Sequence, residues 1–210
     1  MKLATGTPGD LCIDTDEPLD VTSCRLLRNC GVKGVFRYLS DVQPTERDTI
    51  INSGLILYFV NHARSPGWIP SAAEGAQDAT RDLGDLKRLA IPVGVHVMFD
   101  LEGVGGGNPQ LVMDHVNAHA AGIQATKNLE GLYVGAQALL NSAQMYSVRS
   151  TLYWHGCSRV VDMSGNEAAP LCGWAVIQLF PPNISLFGIE FDWNIIQQDY
   201  QGRVPVGIAA

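Results

Sequence analysis

Eight short runs of apolar, β-branched or aromatic residues recur along the chain, and most are separated by stretches with helical signals. No other feature limits the fold so strongly. The runs cover residues 11–13, 34–38, 55–60, 93–99, 131–134, 151–154, 174–180 and 188–192. Runs of this length between turn formers read as strands. Five helices are expected among them. One has Pro18 near its first turn and Gly31 as its stop; one opens at Pro44 and stops at Gly54. One spans 71–90, one spans 136–146, and one runs from an Asn108 cap, with Pro109 at its first position, to residue 128. Strands alternating with helices pair in parallel through right-handed crossovers, and eight such units are the count of a (β/α)8 barrel. The 210 residues divide into about 26 per unit, so some helices must be short or missing. The expected fold is α/β: a single, compact (β/α)8 TIM-type barrel over residues 1–210. A doubly wound open sheet is the structural alternative.

Composition narrows the function classes. The chain has 14 Lys plus Arg against 21 Asp plus Glu, a net charge of −7, and no basic run. Nucleic acid is therefore not an expected partner, and anionic polymers or lipids must be held by specific contacts. No apolar run reaches the roughly 18 residues of a membrane span. With 46% hydrophobic and 17% charged residues the chain is not disordered. Residues 1–6 lack an apolar core, so no conventional secretory signal is expected in this chain. The five cysteines, Cys12, Cys24, Cys30, Cys157 and Cys172, form no CxxC pair. Buried, reduced thiols are expected, with a Cys157–Cys172 disulfide left open.

Four acids fall at or just past the ends of expected strands: Asp14, Asp100, Glu102 and Asp192. Strand carboxyl ends form the active face of a barrel. Strands one and eight are neighbours through closure, and strand four lies across the mouth, so these acids should meet in one cleft. Asp100 and Glu102 stand two apart, on one face of a strand and roughly 6.6 Å apart at Cα. Two such carboxylates do not both stay ionised when desolvated, and the protonated one becomes an acid near neutral pH. Acid-catalysed glycosidic cleavage uses that pairing. Turn formation and helix capping are the ordinary roles of each acid taken singly. A divalent cation held by these oxygens is a third reading.

The segments CIDTDEP, GVFRYLS, FDLEG and WAVIQLF…GIEFDWN, in this order over residues 11–194, resemble the glycoside-hydrolase-like proteins of the DUF1906 group, relatives of the family 25 lysozymes. FDLEG is similar to the D-x-E signature of family 25, FDWN to its acidic last strand, and FRYLS to the DUF1906 branch. The resemblance implies a barrel that hydrolyses the β-1,4 bond between N-acetylmuramic acid and N-acetylglucosamine in peptidoglycan or a related polysaccharide. By position it implies Glu102 as general acid. Asp100 would stabilise oxocarbenium charge or orient the substrate's acetamido group as an internal nucleophile, with Asp14 and Asp192 tuning that pair. It implies an endolysin-type monomer without cofactor that is made in the cytoplasm and acts at the cell wall after release or secretion. A glycan-binding barrel with little or no catalysis is the alternative.

Aromatic and amide residues near strand ends could form sugar subsites: Tyr38, Tyr133, Trp154, Gln178 and Trp193, each with barrel packing as its ordinary role. Arg37 could hold a substrate carboxylate or pair with one of the acids. The run 103–108 lacks the third glycine of a dinucleotide loop and follows two acids, which favours a loop bordering the cleft. His115 and His119 stand at i and i+4 without an HExxH pattern or a third ligand, so packing is expected and no metal. His96 shares strand parity with Met98 and Asp100 and reads as a hydrogen-bonded core histidine. His62 could reach the cleft mouth.

Overall fold

The structure, a computed structural model, describes residues 1–61 and 64–210. The chain begins with strands β1 (Lys2–Thr5) and β2 (Leu11–Thr15). Helix α1 (Val21–Asn29) then leads to β3 (Gly34–Tyr38), α2 (Pro44–Asn52) to β4 (Ile56–Asn61), α3 (Ala72–Arg88) to β5 (His96–Leu101), and α4 (Pro109–Ala125) to β6 (Leu129–Val134). The short α5 (Ser142–Ser147) precedes β7 (Leu152–His155). After it come four strands: β8 (Val176–Gln178), β9 (Ile184–Leu186), β10 (Ile189–Ile196) and β11 (Val206–Ala209).

Eight of these strands close into a barrel in the order β4-β3-β2-β10-β8-β7-β6-β5, with β5 pairing back to β4. This is the expected TIM-type α/β barrel, with one difference. β10 runs antiparallel to both of its neighbours, β2 and β8. A parallel return needs a crossover of roughly a dozen residues or more. The link from β8 instead carries β9, which pairs antiparallel with β10. The last strand also extends to Ile196, so Asp192 lies inside it rather than at its end. The helix expected over 136–146 shrinks to α5, because Gln137 and Leu139 take positive φ angles of 60° and 65° that no α-helix contains. Asn108 caps α4 as expected, accepting from the Leu111 N–H at 3.1 Å. α1 is capped by Asp20, with its side chain on the Ser23 N–H, and Pro18 lies before the cap.

Strand alternation sorts the side chains into layers. Cys12, Phe36, Tyr58, Met98, Leu152, Val176 and Ile196 fill the barrel interior. Outward residues of the same strands, among them Ile13, Val35, Leu57, Phe59 and Val97, pack under the helices with Leu27, Ile50 and Leu86. Phe99, Leu101, Leu132 and Val134 do the same with Val112 and Val116 of α4. His96 is buried and neutral, accepting from the Val206 N–H at Nδ1, and burial pushes its pKa down to about 4.

A polar network crosses the outer layer between α3, α4 and the barrel. His119 bonds Asp82 and Glu130, each at 2.8 Å, and Asn61 donates to Asp82. His115 bonds Asp78 at 3.1 Å, and Phe99 packs against both imidazoles. The two histidines thus take packing and hydrogen-bonding roles, and among the described residues no group of three or more metal-ligating side chains forms. The helices meet so closely that a Cβ on Gly75 would lie 2.2 Å from the His115 carbonyl oxygen. Gly75→Ala must therefore push α3 from α4. A loss of about 1–3 kcal/mol is expected, read as a lower urea midpoint with an unchanged slope.

Candidate functional site

The inward residues of the barrel strands form layers, mostly apolar below and mostly polar near the mouth. The upper members are Asp14, Tyr38, Val60, Asp100, Tyr133, Trp154, Gln178 and Asp192, and all eight line one cleft of about 400 Å³. Glu102, two residues beyond Asp100, joins them. The four expected acids therefore come together. Asp192 arrives by a route the parallel reading did not contain: the reversed β10 places it directly opposite Asp14.

Two further hollows adjoin the cleft. A smaller one of about 180 Å³ shares Asp14, Tyr38 and Asp192 and continues past Asp16 and Glu190. A chamber of about 540 Å³ shares Cys157 and Ser158. Phe180, 85% exposed, stands on the rim.

Hydrogen bonds fix the floor. Gln178 is a hub: its amide nitrogen donates to Asp192, and its oxygen accepts from the Tyr133 hydroxyl at 3.0 Å and the Cys157 N–H at 2.8 Å. Asp192 also accepts from the Asn183 N–H. The Trp154 indole donates to Asn194 at 2.9 Å, and Asn194 donates to Asp14 at 2.6 Å. Asn194 is fully buried and was not singled out from the sequence. Its signal was parity: in FDWN it stands two beyond Asp192 and so faces inward with it.

Burial drives the electrostatics. It pushes the Asp14 carboxyl up to about 8; the Asn194 bond opposes the rise, and the charges of Asp192, Glu102 and Asp16 add to it. Burial likewise raises the Tyr133 phenol, helped by Glu102, Asp100 and Asp14, and the Tyr38 phenol, helped by Asp100, Asp14 and Glu102. Both tyrosines are therefore neutral hydroxyls set among carboxylates.

The glycines around Glu102 are steric requirements. A Cβ on Gly135 would lie 2.4 Å from Glu102 Oε2. The run 103–107 was expected to border the cleft; it follows Glu102 in the chain, but none of its residues is among those that line the cleft. It is pinned by the Gly67 N–H on the Gly103 carbonyl and by the Trp68 indole on the Glu102 carbonyl, both at 2.7 Å. Gly135→Ala should displace the Glu102 carboxyl. For the catalytic role proposed below, a shift near 1 Å would cost up to about 100-fold in turnover; a turnover assay on this variant, with near-native thermal stability as its control, is the check.

Two expected subsite residues lie elsewhere. Arg37 points outward between inward Phe36 and Tyr38. It is 1% exposed and bonds Glu46 of α2 at 2.8 Å and the Thr15 carbonyl. It pairs with an acid, but not one of the cleft. Trp193 alternates with Asp192 and Asn194 and packs outside the barrel against Phe191. Trp154 lies in the floor at 1% exposure, against Phe36 and Tyr133, and offers no open face. All five cysteines are free; Cys12, Cys24 and Cys172 are buried, Cys30 is exposed, and Cys157 is half-buried in the cleft wall. His62 lies outside the described residues.

Residues 25–179 match the family model described as Rv2525c-like, glycoside hydrolase-like domain, well over half of the chain. The chain belongs to that family. It is the DUF1906 family, which the FRYLS and FDLEG segments resemble. No curated protein matches the chain. Solved structures share the fold. An uncharacterized B. stearothermophilus protein has a TM-score of 0.68 at 19% identity, over 90% of this chain and 96% of its own. The Mycobacterium tuberculosis Tat-secreted protein Rv2525c, in complex with HEPES, has a TM-score of 0.66 at 15% identity, over 93% and 98%. The catalytic domain of endolysin ply40 from bacteriophage P40 of Listeria monocytogenes has 0.61 at 15%, over 91% and 94%. No helix among the described residues is long and apolar enough to cross a membrane.

Proposed function

We propose that this Rv2525c-like domain is a glycosidase that cleaves peptidoglycan at the β-1,4 bond between N-acetylmuramic acid and N-acetylglucosamine. The observation that carries the reading is the convergence of Asp14, Asp100, Glu102 and Asp192, from three barrel strands, on one cleft that adjoins two further hollows. Its acids suit a mechanism that needs a proton donor and a charge stabiliser. The ply40 catalytic domain, which is similar in fold, comes from an endolysin.

In this reading Glu102 protonates the leaving glycosidic oxygen. Asp100, buried beside it, steadies positive charge at the anomeric carbon or orients the acetamido group for internal attack. Asp192, held by Gln178 and the Asn183 N–H, keeps negative potential at the same point. Tyr133 and Tyr38 offer hydroxyls to the sugar, and exposed Phe180 offers a ring face. The protein acts as a monomer, at the wall, after release or secretion.

The test is digestion of purified cell walls followed by borohydride reduction of the products. Reduced muramic acid at the new ends supports the reading. Reduced glucosamine shifts the cut to the other bond and overturns the muramidase assignment. Wall binding without any new reducing end would make the protein a glycan-binding barrel.

A further inference from the structure

The indole N–H of Trp154 can only donate. It meets Asn194 at Oδ1, at 2.9 Å, which fixes an amide orientation otherwise open to a flip. The Asn194 amide nitrogen must then face Asp14, where it donates to Oδ2 at 2.6 Å and to the Asp192 carbonyl at 3.2 Å. Asn194 and Trp154 are 0% and 1% exposed, so water does not compete for the bond between them. An oxygen that accepts from an amide N–H is a poor place for a proton. We infer that Trp154 and Asn194 are positioning residues that confine the proton of a neutral Asp14 to Oδ1, making Asp14 a fixed hydrogen-bond donor among the cleft acids.

The surroundings favour the neutral form. Asp14 on β2 faces Asp192 on β10, Glu102 beyond β5, Asp16 on its own segment and the neutral Tyr38 hydroxyl on β3. Among the described residues, the charged groups that raise it are Asp192, Glu102 and Asp16, all acids, and burial acts in the same direction. A neutral Asp14 supplies a donor where a fourth negative charge would otherwise sit. Its ionisation would remove the donor and add repulsion together. The consequence for turnover rests on the glycosidase reading, whereas the proton placement does not.

The experiment is a carbon-13 titration of the side-chain carboxyls in the full chain, from mildly acidic to mildly alkaline pH. Asp14 is expected to titrate near 8. In Asn194→Leu, which removes the donor, the midpoint should move about one pH unit higher. In Trp154→Phe, which keeps a ring but loses the N–H, the amide is free to turn its oxygen to Asp14, and the midpoint should rise as well. A wild-type midpoint in the ordinary range of about 3–5 overturns the proposal. So does a midpoint unmoved in both variants. A midpoint that moves only in Asn194→Leu removes Trp154 from it. If Asn194→Leu does not fold, Trp154→Phe decides alone. On wild type, the alkaline limb of wall cleavage should coincide with the Asp14 midpoint; a limb elsewhere sinks the catalytic consequence. Absence of cleavage at every pH sinks the glycosidase reading and leaves the titration result standing.

Discussion

Glu102→Gln should lower the rate of peptidoglycan cleavage by about 100- to 10,000-fold, the range that a positioned general acid contributes, while glycan binding and folding stay close to wild type. The amide keeps the size of the carboxyl and fits the space beside Gly135, so the loss isolates the proton. Under the proposed mechanism Asp100→Asn supplies the contrast, because it alters the group assigned to the anomeric carbon rather than the donor. Muropeptide release per minute and a separate pull-down on insoluble walls are the two measurements. Activity of Glu102→Gln within tenfold of wild type would take the acid role from Glu102 and pass it to another carboxyl of the cleft.

His119→Leu should cost about 3–5 kcal/mol of stability, because it strands two buried carboxylates that now share one imidazolium. Asp82 and Glu130 each lie 2.8 Å from that ring. Burial alone would lower the His119 pKa; the Glu130 charge and the bonds from Asp82 and Glu130 outweigh it and raise the pKa to about 10. The folded protein therefore holds this proton where the unfolded chain, near 6.5, has released it. The stabilisation is complete below 6.5 and fades as pH rises through about 10. Glu130, raised by burial to about 7, acts in the same direction at lower pH, since it too binds its proton more tightly when folded. Urea unfolding across neutral to alkaline pH should show wild-type stability falling with pH and a flatter curve for His119→Leu. Equal slopes, or a loss below about 1 kcal/mol, would mean that the network contributes specificity and not stability.

Much of the site was legible because β-alternation is local. Asp100 and Glu102 share a face by a two-residue spacing, and the same rule carries Met98 and His96 inward. Applied to the last strand, that rule already separates Trp193, which packs outside, from Asp192 and Asn194, which face in. Applied to GVFRY, it separates Arg37 from Tyr38. Nearness to a strand end, which brought Arg37 and Trp193 among the subsite candidates, carries no such alternation. Helix starts at Pro44, Ser71 and Asn108 were legible for the same local reason, since capping involves neighbouring residues only. The helix over 136–146 was not, because its interruption depends on the positive φ angles of Gln137 and Leu139, which their residue types do not announce.

The sequence by itself determined which residues share a face of each strand, where most helices begin, and that Asp14, Asp100 and Glu102 sit near strand ends, because these follow from periodicity and capping within a few residues. Only the tertiary structure decided the direction of the last strand, the partner of Arg37 and the chain from Trp154 through Asn194 to Asp14. Arg37 meets Glu46 only nine positions on, across the turn into α2, but the direction of β10 and the chain to Asp14 join residues remote in sequence; Asn194 and Asp14 are 180 positions apart. Such contacts exist only once barrel closure sets the register of β10 against β2, and no local pattern along the chain encodes that register.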